Sequence, residues 1–354
     1  MWSLVSALLA FSPAERGEEA ALEALKAVAP QLHALHARAR ADPLRLAADL
    51  HQESSAFVAL PLGAPPRRAS RNASLPVVTA HGMGDSCFNP GMASVTRFAG
   101  QALGVYSTCI PTADTQPEDT IAGFLKNMDA SVDVFAERVR ADPKLKKGFH
   151  AFGLSQGNNL IRGYIQKYNE PPVRTFMSIC GINGGVAAFP HCAPSTPVVG
   201  HACLALAETL GALAYDPLVQ RFLFQANYYR EPSMLGTEPY KANSQLAQWN
   251  GEGAHANVSA SRAKWAKTNR FVWVEATEDS MVYPREGEQW GGLPGDYPEE
   301  KRAVPMQEMP WYTTDAFGLR AAQLAGKNSF ETFVGEHIRF DEKQLLEWLH
   351  KYFD

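Results

Sequence analysis

The sequence predicts an α/β architecture: a mostly parallel central sheet flanked by helices, an inserted helical cap, and a helical extension in front. Three observations carry this. Short continuous apolar runs recur between residues 75 and 334, as strands buried on both faces require. Apolar residues spaced by three and four fill the intervals. Finally, Gly153-Leu154-Ser155-Gln156-Gly157 joins one apolar run to one helical pattern through a turn with glycine at both ends.

Taken in chain order, the apolar stretch Trp2 to Phe11 followed by Ser12-Pro13-Ala14 suits a secretory signal peptide over residues 1–14, although no Lys or Arg precedes it. The alternative is a buried helical turn. Leu22, Leu25, Val28, Leu32 and Leu35 then recur at helical spacing; Pro30 interrupts the run and Pro43 ends it, giving two or three short helices. "LPLGAPPRRASRNAS" (60–74) has linker composition. Residues 15–74 are therefore an extension and linker, and 75–354 the main domain.

"LPVVTA" (75–80), stopped by His81-Gly82, reads as the first buried strand, and "GVYSTCI" (104–110) as the next. Ile121, Phe124, Leu125, Met128, Val132, Phe135 and Val139 mark one face of a long helix. "GFHAFGL" (148–154) enters the glycine-flanked turn, and Leu160, Ile161, Tyr164, Ile165 and Tyr168 share a helical face behind it. "RTFMSIC" (174–180), "RFVWVEA" (270–276) and "SFETFV" (329–334) complete the strands. The interval 185–268 exceeds what a crossover needs and holds helical pieces at 204–213 and 218–229, so it reads as a cap.

Composition narrows the function. With 45% hydrophobic and 20% charged residues the chain is an ordinary globular one, and its net charge of −4 argues against nucleic acid as a partner. No run of 18 apolar residues is present, so no transmembrane segment is expected.

In parallel sheets ligands gather at the carboxyl ends of strands. If Ser155 is a nucleophile, an acid and a histidine should follow it, each just past a later strand. Asp279 lies three residues beyond Ala276, and His337 three beyond Val334. Glu275 should point from within its strand, and Glu278 is the neighbouring alternative. His191, His201 and His255 precede the acid, while His350 sits in an amphipathic C-terminal helix. Ser155, Asp279 and His337 are the expected nucleophile, acid and base. The amides of Gln156, directly after the serine, and of Met83, in the "HGMGD" loop, are the expected oxyanion donors. His81 is expected to anchor that loop rather than act as a base.

None of the cysteines Cys87, Cys109, Cys180, Cys192 and Cys203 has C-x-x-C spacing, so neither a metal nor another cofactor is implied. Cys192 and Cys203 flank a Pro-containing loop and could close a small disulfide. Asn72-Ala73-Ser74 and Asn257-Val258-Ser259 are glycosylation sequons.

"HGMGDSCFNP" (81–90), "ADPKLKKGFHAFGLSQGNN" (141–159), "EDSMVYP" (278–284), "WYTTDAFGLRAAQLAGK" (311–327) and "GEHI" (335–338) together resemble the lysosomal palmitoyl-protein thioesterases of the thioesterase 1 type. The resemblance runs collinearly from about residue 75 to 354 and leaves the extension outside it. It implies an α/β-hydrolase fold that removes long-chain acyl groups from S-acylated cysteines of proteins or peptides, in the lysosome or after secretion. It assigns the same triad, the same oxyanion donors, and a disulfide between Cys192 and Cys203. The chain departs from the family in keeping one cysteine, Cys87, where two adjacent ones are usual, and in having Ala136 and Tyr168 where another disulfide would stand. Phe222, Phe224, Trp249, Met281 and Val282 are candidates for the acyl groove. The rivals are a lipase or carboxylesterase acting on oxygen esters, and a non-catalytic acyl-binding protein.

Overall fold

The computed structural model describes residues 13–55, 58–65, 75–189, 209–211, 213–295 and 302–353. The candidate signal peptide up to residue 12, the sequon at Asn72 and the Cys192–Cys203 pair lie outside the described residues, as does most of the 204–213 piece.

Six strands form the sheet: β1 (Val77–Ala80), β2 (Ser107–Cys109), β3 (Phe149–Leu154), β4 (Val173–Ile179), β5 (Arg270–Ala276) and β6 (Asn328–Phe333). They are ordered β2-β1-β3-β4-β5-β6, and every pairing is parallel. Successive side chains face opposite sides, and both sides are covered. Val77, Phe152, Met177 and Val272 pack with one apolar cluster, which includes Phe98 and Leu349. Their neighbours Val78, Ala151, Phe176 and Phe271 pack with the other. This double coverage is why the strands read as unbroken apolar runs.

The chain leaves β1 toward β2 on one side and returns to β3 on the other. The strand order thus reverses between β1 and β3, opening a crevice at their carboxyl ends. The HGMGD loop and Ser155 both fall there.

The extension is built of α1 (Pro13–Val28), α2 (Pro30–Ala41) and α3 (Pro43–Glu53). Pro43 ends the second helix, as the run predicts, and opens a third at a position where its missing N–H costs nothing, with the Asp42 carboxylate accepting from Arg45 N at 3.0 Å. Leu22, Leu25, Leu32, Leu35, Leu46 and Leu50 are buried in the same cluster as Met83, Phe124 and Phe222. The start of the expected linker departs from the reading. Ala59 N, just before it, donates to Asp85 Oδ2 at 2.9 Å and Leu62 N to Ser94 Oγ at 2.8 Å, so this stretch is strapped to the main domain.

Three further readings need correction. The helix after β1 is α4 (Pro90–Leu103); the long helix that follows is two, α5 (Gln116–Leu125) and α6 (Met128–Ala141), because Asn127 caps the second by accepting from Asp129 N and Ala130 N. The 218–229 piece is likewise Pro217–Phe222 and Phe224–Tyr228, separated at Leu223, whose backbone is extended. Strand β6 ends at Phe333, one residue earlier than expected, and Val334 is left exposed.

Because Leu50 shares a core with Met83, Leu50→Ala should lower the stability of the whole protein by about 3 kcal/mol. Urea unfolding followed by tryptophan fluorescence would measure this; an unchanged midpoint would mean that the extension is energetically separate.

Candidate active site

Ser155 sits between β3 and the helix α7 (Gly157–Lys167), at φ +52°. A serine there is held in the left-handed region, which the surroundings must enforce. They do so by hydrogen bonds: Ser155 N donates to Ile179 O at 3.0 Å, and Asn158 Nδ2 donates to both Ser155 O and Ile179 O, each at 3.0 Å. The flanking glycines are required by contact. A Cβ on Gly153 would stand 2.6 Å from Asn158 Oδ1, and one on Gly157 2.4 Å from Ala80 O and 2.5 Å from His81 O. The turn therefore has the strand, helix and glycines of a nucleophile elbow.

Asp279 and His337 meet in the fold. His337 Nδ1 lies 2.5 Å from Asp279 Oδ2, and both side chains are buried. Asp279 Oδ1 accepts from Met281 N at 2.7 Å and Val282 N at 2.9 Å. Burial alone would raise the Asp279 pKa, but the His337 contact outweighs it and holds the carboxyl at about 2. Glu278 and Glu275 are not so placed; Glu275 instead meets Arg285 Nε at 3.4 Å. The loops carrying these groups are laced together: Cys180, just past β4, accepts from Ile338 N at 3.3 Å and donates its own amide to Val274 O at 2.9 Å.

Met83 and Gln156 are both buried, and among the described residues no acceptor takes either backbone amide. Gly84, at φ +73°, folds the HGMGD loop back. The Gln156 side chain is fixed from three directions: it donates to Gly123 O (2.8 Å) and accepts from Gln225 Nε2 and the Tyr228 hydroxyl, both at 2.9 Å. Tyr228 also lies 4.0 Å from Met83 Sδ, so one phenol touches both expected donor residues. Sequence reasoning missed Gln225 and Tyr228, since only the fold turns this cap helix toward the elbow.

His81 anchors the loop, as expected. Its Nδ1 meets Gly82 O at 2.9 Å and its Nε2 lies 3.3 Å from Asp119 Oδ2. Asp119 also accepts from Ser86 Oγ (2.9 Å), Cys87 N (2.9 Å) and Thr112 N (2.6 Å). Burial works against a charged imidazole, yet Asp119 overrules it and raises the His81 pKa to about 9, while Asp119 itself is pushed well below the usual carboxylate range. A disulfide joins Cys87 to Cys109, tying this loop to the end of β2; the sequence left both partners open.

The expected groove residues lie in or against the larger apolar cluster. Phe222 meets the His36 ring of the extension at 5.2 Å, and Phe224 meets Tyr228 at 6.0 Å. Trp249 would touch any Cβ on Gly163 of α7 and stands over the Arg162 guanidinium. Met281 and Val282 do lie beside the acid, through their amides. Cys180, Asp279, Glu288 and His337 form one buried cluster, in which Glu288 is a residue the sequence did not single out.

This sheet order, with a nucleophile elbow after β3 and a buried acid–histidine pair past β5 and β6, defines an α/β-hydrolase. Within that class the chain belongs to the palmitoyl protein thioesterase family, whose sequence model matches residues 76–337. It is 31% identical over 289 residues to palmitoyl-protein thioesterase 1 of Caenorhabditis elegans, spanning 80% of this chain and 94% of that protein. It is 30% identical over 211 residues to palmitoyl-protein thioesterase 3 of Dictyostelium discoideum, spanning 59% of this chain and 68% of that protein. Lysosomal thioesterase PPT2 of Rattus norvegicus is 25% identical over 274 residues, 75% of this chain and 82% of that protein.

The His81–Asp119 pair sets a pH window for stability. The raised His81 pKa contributes fully below about 6.5 and is lost as pH climbs through about 9; the depressed Asp119 pKa contributes above about 3.8 and is lost as pH falls below it. His81→Gln should therefore cost more stability at about pH 5 than at about pH 9. Thermal melts at both values would check this, and equal losses would contradict a charged pair.

Proposed function

We propose that this chain is a serine hydrolase that removes palmitoyl and similar long-chain acyl groups from S-acylated cysteines of proteins or peptides. The observation that carries the proposal is the match to the thioesterase family over the same residues that build the elbow and the acid–histidine pair. Ser155 Oγ attacks the thioester carbonyl while His337 takes its proton, and Asp279 holds the histidine's tautomer. The amides of Met83 and Gln156 receive the oxyanion. Collapse expels the cysteine thiolate, to which His337 returns the proton, leaving an acyl-serine. Water activated by His337 then releases the fatty acid and restores Ser155.

The catalytic unit on this reading is residues 75–354, with a cap inserted over about 185–268 and the extension and linker over 15–74. A lysosomal or secretory location is supported by the Cys87–Cys109 disulfide, a bond of oxidising compartments, and by the rat relative's description as lysosomal. Asn257, exposed at the start of the helix Val258–Trp265, is accessible for glycosylation on that route.

Hydrolysis of an S-palmitoyl peptide and its oxygen-ester analogue should be compared, with Ser155→Ala alongside. Thioester turnover is expected, falling by about 10³-fold or more in the variant. Turnover of the oxygen ester alone would make the protein a lipase-like esterase. Gln156 acts through its backbone, so Tyr228→Phe tests its support. That variant removes one donor to Oε1 and should lower kcat by about tenfold with KM little changed; an unaltered kcat would leave Tyr228 without a part in the oxyanion hole.

A further inference from the structure

Behind the acid of the proposed triad lies a second carboxyl. Glu288 sits on the short turn Arg285–Gln289, folded back against β5, and its side chain is fully buried. Its Oε2 accepts from Ala276 N at 2.9 Å. Its Oε1 is buried and receives no donor from the described residues. One ligating atom each from Glu288, Asp279, Cys180 and His337 lies within 4.8 Å of the others.

The titratable groups facing Glu288 are the acids Asp279 and Glu275, the Cys180 thiol, and His337, whose Nδ1 is turned to Asp279. Arg285, on the same turn, is directed elsewhere, to Glu275 Oε1 at 3.4 Å and Thr277 O at 2.5 Å. An ionised Glu288 would thus meet a second carboxylate in a dry site with no cation turned to it. Two such neighbours cannot both hold charge. Asp279 is the one that stays ionised, since His337 and the Met281 and Val282 amides all favour its charged form. Burial, then the Asp279 charge, push Glu288 well above the usual carboxyl range. With its hydrogen in place, the orphan Oε1 becomes a donor and the account closes. The four-residue cluster is then a hydrogen-bonded network, in which Asp279 keeps acceptor capacity for Glu288 beside the two amides and His337.

We infer that Glu288 is a positioning residue for the reaction, a neutral carboxylic acid that donates to Asp279 and fixes the carboxylate against His337. The inference rests on the triad proposed above. The proton stays on Glu288 throughout, and no bond to it forms or breaks. Its donation also draws charge from Asp279, and a less basic carboxylate steadies an imidazolium less.

The test compares the native chain with Glu288→Gln, whose amide can still donate, and Glu288→Met, which cannot. In Glu288→Met kcat for the S-palmitoyl peptide should fall about tenfold or more, and the acid limb of the kcat/KM profile should move to higher pH. Glu288→Gln should restore most of that activity and leave the acid limb near its native position. A merely structural role would lower the melting temperature of either variant without moving the limb, and would overturn the inference. So would a Glu288→Gln variant as impaired as Glu288→Met. Infrared difference spectra supply a readout that needs no turnover and no Met variant: the native protein should show a carbonyl band of a protonated carboxylic acid at neutral pH, absent in Glu288→Gln. Absence of that band from the native protein would also sink the inference. Failure of the native protein to cleave the thioester would instead count against the triad and substrate reading, with the infrared band still deciding the state of Glu288.

Discussion

The backbone contact between the elbow helix and the end of β1 is the constraint on which the rest of the site depends. At Gly157 the helix approaches the carbonyls of Ala80 and His81 so closely that a single methyl group would have nowhere to go. That approach brings the first turn of α7 against the loop that starts at His81. It also drives Ser155 into a conformation that costs of order 1 kcal/mol and is tolerated because Asn158 and Ile179 hold it on both sides. Moving the helix outward would relieve Ser155 but separate the Gln156 and Met83 amides.

Around this contact the protein keeps polar groups dry and gathers partners around several of them. Asp119 gathers donors from His81, Ser86, Cys87 and Thr112 beneath one wall of the site. Asp279 gathers His337 and two amides beneath the other. Arg162, one turn along α7, is wholly buried, donates to Asn250 Oδ1 at 2.7 Å, and lies 4.9 Å from the rings of both Trp290 and Phe317. Burial lowers its pKa to about 9, and this guanidinium ties the elbow helix to the cap side of the molecule. Unlike an apolar core, such networks tolerate few arrangements, so they hold the reacting groups in one geometry.

The sheet, the glycine-flanked turn and the pairing of Asp279 with His337 were legible because each rests on a local rule. Buried parallel strands must be apolar throughout, the elbow needs Gly153 and Gly157, and Asp279 and His337 must follow strands. What escaped depended on contacts distant in sequence. Glu288 matters only because the turn after Asp279 folds back under β5, and Tyr228 only because the cap helix ends against Gln156. The stretch from residue 60 has the composition of a linker, and nothing local reveals that Leu62, and Ala59 just before it, donate to Ser94 and Asp85. The break at Asn127 was hidden because apolar periodicity continues across it while the cap bonds do not show in a pattern of side chains.

The strap has one more attachment. Arg339, two residues past His337, donates to the carbonyls of Ser55 and Val58, each at 3.0 Å. Ser54 stands where a Cβ on Gly84 would be, so the segment after α3 touches both the HGMGD loop and the loop that carries the histidine. Early and late parts of the chain therefore close on each other across the site. During synthesis, which proceeds from the N-terminus, the strap and the HGMGD loop emerge long before their last partner. A nascent chain holds an unfinished centre until the segment around residue 339 is clear of the ribosome. The seam that completes the fold is also the one that completes the catalyst.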